Sequence, residues 1–294
     1  MRVLASVVLA AFTAITAPLG ARADAPPELR ICQDRNTPRD QKIEACSFVI
    51  TNAPPPAARE LALVYLIRGN VYLDQAVYDR ALADFDAATK VDPTFHGPSN
   101  SRGLVFRRQK QIDRAITEFD AAIRLDPHDP IVFTNRGDAY RDEGHYDRAL
   151  QDYDAAIAIN PNWVNALFGR ALTLQWKANS DFDAFVNEGR FEQLAIAGYD
   201  KVLQIAPRHA GALSNRGLLY HALRKYDLAI ADFTQAIAIN SANPVFLRNR
   251  ALTYRMIRRY DLAIADYRSA LAVTRDAKER KVTEELLAQL GAGV

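Results

Sequence analysis

The sequence predicts an all-α fold, an α-solenoid of stacked two-helix units, and three periodic signals predict it. Gly69, Gly103 and Gly137 are 34 residues apart, with Ala171 on the next beat. Pro93, Pro127 and Pro161 keep the same step. So do Ala81, Ala115 and Ala149, each followed four residues later by an aromatic ring, Phe85, Phe119 and Tyr153. A unit of this length cannot bury its apolar face alone, so neighbours must stack. An apolar fraction of 49% over 294 residues fits a folded chain rather than a disordered one.

The first element is an export signal. Met1-Arg2 precedes an uncharged apolar stretch from Val3 to Leu19, and Gly20-Ala21-Arg22-Ala23 follows. A positive start, a short apolar run and small residues at the end are the order of a secretory signal, cleaved after Ala23 or after Ala25. The run is too short for a bilayer span of about 20 residues and is diluted by Thr13, Thr16 and Pro18. Removing Arg2 and Arg22 from 37 basic residues leaves 35 against 35 acidic ones. The overall charge of +2 therefore gives no basic field for nucleic acid. No membrane insertion is expected after cleavage. The expected location is the periplasm or the exterior.

Residues 24–56 read as a small helical cap. Asn36-Thr37-Pro38 is a helix start, with a capping side chain before a proline suited to the first turn. Ile43, Cys46 and Ile50 then share a face, and the prolines between Asn52 and Pro56 end the helix. Cys32 and Cys46 are the only cysteines. In an exported chain such a pair forms a disulfide, here a structural staple. A redox or metal pair lacks Cys-x-x-Cys spacing and a nearby histidine.

From residue 57 to 275 six repeats run without a linker. The third unit's second helix carries Ala149, Leu150, Tyr153, Ala156 and Ile157, a stripe at helical spacing. Tyr78-Asp79-Arg80-Ala81 opens one second helix and recurs as Tyr146-Asp147-Arg148-Ala149, Ile112-Asp113-Arg114-Ala115, Tyr226-Asp227-Leu228-Ala229 and Tyr260-Asp261-Leu262-Ala263. An aspartate in a first turn complements the amide dipoles there. The glycine and alanine columns let helices approach, and Phe85, Phe119, Tyr153, Tyr199, Phe233 and Tyr267 fill the space beside them. These stripes are core, not a cofactor box. Residues 276–294 supply a closing helix and tail. Val282, Leu286, Leu287 and Leu290 lie on one side, and Asp276 with Glu279 forms a capping-box-like start.

The glycine, tyrosine, alanine, aromatic and proline columns resemble the tetratricopeptide repeat family over about three quarters of the chain, and the Cys-containing cap is similar to that of its exported bacterial members. The resemblance implies a right-handed superhelix whose concave groove, walled by the first helices, binds a protein or peptide. On the residues themselves, no enzyme, no cofactor and no metal are expected.

The fourth unit breaks the pattern. Pro161 to Pro207 spans 46 residues, so 12 extra fall within Lys177 to Arg190, with Asp181, Phe182, Asp183, Phe185 and Glu188 among them. Such an insertion either decorates the binding face or merely extends a helix pair, and an accessory ligand-binding or catalytic role would reside there.

A column of arginines, Arg68, Arg102, Arg136, Arg170, Arg216 and Arg250, matches a carboxylate column, Asp84, Glu118, Asp152, Asp232 and Asp266. An ion pair inside each repeat is the expectation. In unit four Gly198 takes the acidic place, so Arg170 uses Asp200 or is left for a partner. At the C-terminal ends of the first helices stand Leu73, Arg107, Arg141, Gln175, His221 and Arg255, with Asn135, Asn215 and Asn249 earlier. Arginines beside amides suit carboxylates or peptide backbone, so a partner of acidic character is expected there. The family's peptide-carboxylate clamp pattern is incomplete, so its specificity is not carried over. The five histidines are scattered, and no phosphate loop, nucleophile elbow or zinc-protease helix occurs.

Overall fold

The computed structural model describes residues 26–52, 57–178 and 189–291. The expected signal with its cleavage sites, the prolines of 53–56 and insertion residues 179–188 lie outside the described residues. Within them are fifteen helices and no strand, so the fold is an all-α solenoid of paired helices. None of these helices is long and apolar enough to cross a membrane.

The chain divides into two compact units, residues 1–159 and 160–294. The first contains α1 (Pro27–Gln33) and α2 (Arg39–Asn52), followed by three helix pairs. These are α3 (Ala58–Asp74) with α4 (Tyr78–Val91), α5 (His96–Arg108) with α6 (Ile112–Leu125), and α7 (Pro130–Asp142) with α8 (Tyr146–Ile159). The second contains α9 (Val164–Ala178) with α10 (Arg190–Ile205), and α11 (Ala210–Ala222) with α12 (Tyr226–Ile239). It ends with α13 (Pro244–Met256), α14 (Tyr260–Val273) and α15 (Ala277–Ala288). In the first unit α3, α5 and α7 also touch their like neighbours, as α11 and α13 do in the second, so first helices form a row in each.

The core follows the periodic columns. All six alanines from Ala81 to Ala263 and all six aromatics from Phe85 to Tyr267 are fully buried. At Gly69 an added methyl would lie 2.5 Å from the Phe85 ring, so only a bare backbone fits beside that ring. Repeat four reverses the sizes. Ala171 stands in the glycine column, and Gly198 on α10 makes room for it, since a methyl at Gly198 would lie 2.8 Å from the Ala171 side chain. The missing carboxylate at 198 is thus a packing substitution.

Turns follow from local chemistry. Asp92 and Asp126 precede prolines and are extended, as the clash with the pyrrolidine ring requires. Their carboxylates accept from the backbone amides of Thr94 and His128. Between the helices of a pair the chain reverses through one left-handed residue. Glycine supplies it at Gly144 and, directly before α10, at Gly189, while Ala76, Lys110, Arg224 and Arg258 adopt φ between 57° and 60°. In the first pair the amide of Val77 reaches the carbonyl of Tyr72 and that of Ala76 reaches Leu73, the double closure of a left-handed helix stop.

The two ends differ from expectation in detail. Cys32 and Cys46 form a disulfide between α1 and α2, and Leu29, Ala45 and Val49 pack with it onto Val64 and Ile67 of α3. The hydroxyl of Thr37 does not cap α2; it donates back to the carbonyl of Ile31 at 2.9 Å, and the helix begins at Arg39. On α15, Leu287 and Thr283 are buried, Leu286 and Leu290 pack against them in part, and Val282 is exposed. Val282 is therefore not part of the sealing stripe. Asp276 accepts from the amides of Lys278 and Glu279, as a first-turn cap should.

Candidate functional site

The arginine column is structural. Arg68, Arg136, Arg216 and Arg250 each grip one carboxylate through two nitrogens, to Asp84, Asp152, Asp232 and Asp266, at 2.6–2.9 Å. Arg102 reaches Glu118 at 2.9 Å. The same guanidiniums also bridge to the preceding repeat: Arg102 to Asp86, Arg136 to Asp120, Arg216 to Asp200 and Arg250 to Thr234. Asp200 is thus taken by Arg216. Arg170 has interactions of its own and is not a cation left open for a partner.

The column expected to line the groove is for the most part turned inward. Leu73 is fully buried and Arg141 and Gln175 nearly so, because this position faces the ring on the second helix. Where that ring carries a hydroxyl, the first helix answers it. The Tyr199 hydroxyl donates to Gln175 Oε1 at 2.7 Å, and Tyr153 accepts from Arg141 Nη1 at 2.8 Å. Burial pushes the pKa of the Tyr267 hydroxyl up and the adjacent Arg255 guanidinium partly offsets this, although no partner meets the hydroxyl at full hydrogen-bond geometry. His221 Nδ1 lies 2.9 Å from the Thr253 hydroxyl, which itself donates to the carbonyl of Asn249. The imidazole must then supply the proton from Nδ1, leaving Nε2 as its acceptor. Burial pushes the His221 pKa down, in keeping with a neutral ring. Asn135 is buried and donates to Asn100 across α5 and α7 at 2.8 Å; Asn249 is buried and Asn215 half-buried.

Of the expected binding residues, Arg107 and Arg141 are brought into one cluster. Arg107 meets Asp142 at 2.8 Å and Asp138 at 3.2 Å, and Arg141 meets Asp138 at 2.8 Å. The Tyr153 hydroxyl donates to Asp138 at 2.7 Å. Burial alone would raise the Asp138 carboxyl, but Arg141, Arg107 and this hydroxyl hold it below the usual carboxylate range. Two cations therefore face two anions, and an excess positive charge to attract an acidic partner is absent from this cluster. Sequence reasoning missed Asp138 and Asp142. Their distances from Arg107, 31 and 35 residues, are one repeat give or take a few positions, which was the available signal.

The position one residue further along each first helix is the accessible one. Arg108, Asp142, Trp176, Ala222 and Met256 are exposed and Asp74 half-exposed. One turn earlier stand Asn70, Leu104 and Asp138 in the first unit and Leu172, Leu218 and Leu252 in the second. The first unit presents polar groups of both signs along this face, and the second presents mainly apolar ones.

These paired helices, stacked with an accessible column on each first helix, define a helical-repeat interaction scaffold. The chain belongs to the tetratricopeptide repeat family. A model described as TPR repeat matches residues 137–175, and two described as tetratricopeptide repeat match residues 57–130 and 210–243. No curated protein matches the sequence. Among solved structures, the APC/C hetero-tetramer Cut9–Hcn1 superposes over 85% of this chain with a TM-score of 0.66 at 18% identity. This chain spans 48% of that one's length. The pilF protein of Pseudomonas aeruginosa aligns over 80% of this chain and 100% of its own, with a TM-score of 0.66 at 16% identity. A tetratricopeptide repeat protein from Parabacteroides merdae covers 86% of this chain and 92% of its own, with a TM-score of 0.59 at 16% identity. At such identities the likeness concerns the fold.

Proposed function

We propose that this chain is an exported scaffold of the bacterial cell envelope that holds a peptide or protein along the first-helix face of its repeats and performs no chemistry on it. The accessible column carries this reading: successive first helices offer Asp74, Arg108 and Asp142 in the first unit, and Ala222 and Met256 in the second. Arg107, Arg141, Gln175, His221, Asn135 and Asn249 stiffen the wall behind that column, and Arg170, Arg255 and Asn215 complete the set of expected contact residues. A rigid surface of spaced side chains loses little conformational entropy on binding. Export is supported by the N-terminal pattern and by the Cys32–Cys46 bridge, a bond that persists in oxidising compartments.

The test is in-cell crosslinking followed by affinity capture from the envelope fraction. The double variant Arg108→Glu with Asp142→Lys should lose the recovered partner, while Asp86→Ala on a second helix should keep it. Recovery of the same partner by the double variant would contradict the assignment.

A further inference from the structure

The two units differ at the tips that join first to second helices. In the first unit the tips read Gln75-Ala76-Val77, Gln109-Lys110-Gln111 and Glu143-Gly144-His145. In the second, α11–α12 and α13–α14 turn through Leu223-Arg224-Lys225 and Ile257-Arg258-Arg259. All four cations are exposed, and Arg224, Lys225 and Arg258 make no side-chain ion pair among the described residues. Arg259 lies 3.6 Å from Asp261, a solvent-exposed contact, and the other nearby acid is Asp227. Arg224 and Arg258 hold the left-handed conformation, φ 57° and 59°, at the position that Gly144 fills in the third repeat.

Exposed apolar residues flank these cations in the sequence on both sides. Leu223 and Met256, at the ends of α11 and α13, are 41% and 57% exposed; Leu228 and Tyr260, at the starts of α12 and α14, are 49% and 48% exposed. The Leu228 position is occupied in the first unit by Arg80, Arg114 and Arg148, whose guanidiniums lie over Tyr72, Phe106 and Tyr140. The second unit has thus exchanged stacked arginines for leucines, and each of these two tips carries a pair of cations where the first unit has a single one, Lys110.

We propose that this edge of the second unit docks on an anionic lipid bilayer. Four cations set among leucine, methionine and tyrosine match a surface of acidic headgroups over hydrocarbon, where basic side chains pair with phosphates and apolar ones enter the interface. The apolar groups flank each tip instead of lining one side of a cleft, which fits a planar partner better than a peptide. Each basic side chain near such a surface contributes roughly fivefold in partitioning, and Asp227 and Asp261 offset part of it.

The test is flotation of the full chain with vesicles of phosphatidylcholine alone and with about one third phosphatidylglycerol. The wild type should float with the anionic vesicles at least tenfold better, and high salt should abolish the difference. The variant Arg224→Gln, Lys225→Gln, Arg258→Gln, Arg259→Gln should lose that advantage. The all-lysine version of the edge should keep it. The apolar variant Leu223→Ser, Leu228→Ser, Met256→Ser should bind severalfold more weakly yet stay salt-sensitive. All variants carry the same N-terminal segment, so a difference among them reports the edge. Equal flotation of wild type and the glutamine variant would overturn the proposal. So would retention of an acidic, leucine-containing peptide by these cations with no charge-dependent vesicle binding.

Discussion

At the scale of single residues the molecule is organised by buried hydroxyls and paired guanidiniums. Tyr153, Tyr199 and Tyr267 occupy one column at zero exposure, yet their hydroxyls have different surroundings. Tyr199 donates to Gln175, so Tyr199→Phe leaves a buried amide oxygen without that partner and should cost about 1–3 kcal/mol. Tyr267 has only the Arg255 guanidinium near its hydroxyl, short of full hydrogen-bond geometry, so Tyr267→Phe should cost less than Tyr199→Phe, under about 1 kcal/mol. Urea unfolding of the two variants compares them directly. The same logic explains what sequence could show of the site. The 34-residue columns revealed the arginine–carboxylate ladder, because both partners repeat. They did not reveal that Arg141 and Gln175 turn toward tyrosines, since a one-residue shift on a helix changes its facing by about 100°. Nor did they reveal Asp138 and Asp142, because neither position is acidic in the neighbouring repeat, where Leu104 and Arg108 stand.

At the scale of elements, helix ends decide where each rod stops, and one end is a titrating group. His209 caps α11 by accepting the amide of Ala212 through Nδ1 at 3.0 Å. Burial lowers its pKa below 6.5, so the folded chain keeps it neutral. In the unfolded chain the ring titrates near 6.5 and binds more protons below that pH. Stability should therefore fall as pH drops from about 6.5 toward the folded value and flatten beneath it. His221, lowered in the same way, adds to the trend. His209→Asn keeps an acceptor at the cap but removes the titration. Its urea midpoint should fall less than that of the wild type between about pH 7 and 5. An equal fall in both would assign the dependence elsewhere. The elements themselves were largely legible beforehand, because glycine, alanine and aromatic columns fix both helices of a pair. The ends were less so: Thr37 found a carbonyl instead of an amide, and Val282 gave its place to Thr283 once the helix phase was set by packing on Leu271 and Tyr267.

At the scale of the whole molecule, a repeat array is held by nearest-neighbour interfaces, so its open ends need covers. The disulfide-bridged pair α1–α2 covers α3 through Val64 and Ile67. Replacing Cys32 and Cys46 by serine frees a loop of 14-residue separation and should remove about 3 kcal/mol from that end, read as an earlier thermal transition. The second unit is closed by α15, where Leu287 packs with Tyr267 and Leu271. Between these covers, the accessible column is mixed in charge in the first unit and mainly apolar in the second.

The most direct measurement is site-specific photocrosslinking in living cells, with the probe placed in turn at Asp74, Arg108 and Asp142 on first helices and at Asp86 and Arg124 on second helices. Adducts with one partner protein from the first three positions, and none from the last two, are what a first-helix binding face predicts. Adducts confined to Asp86 and Arg124 would contradict it.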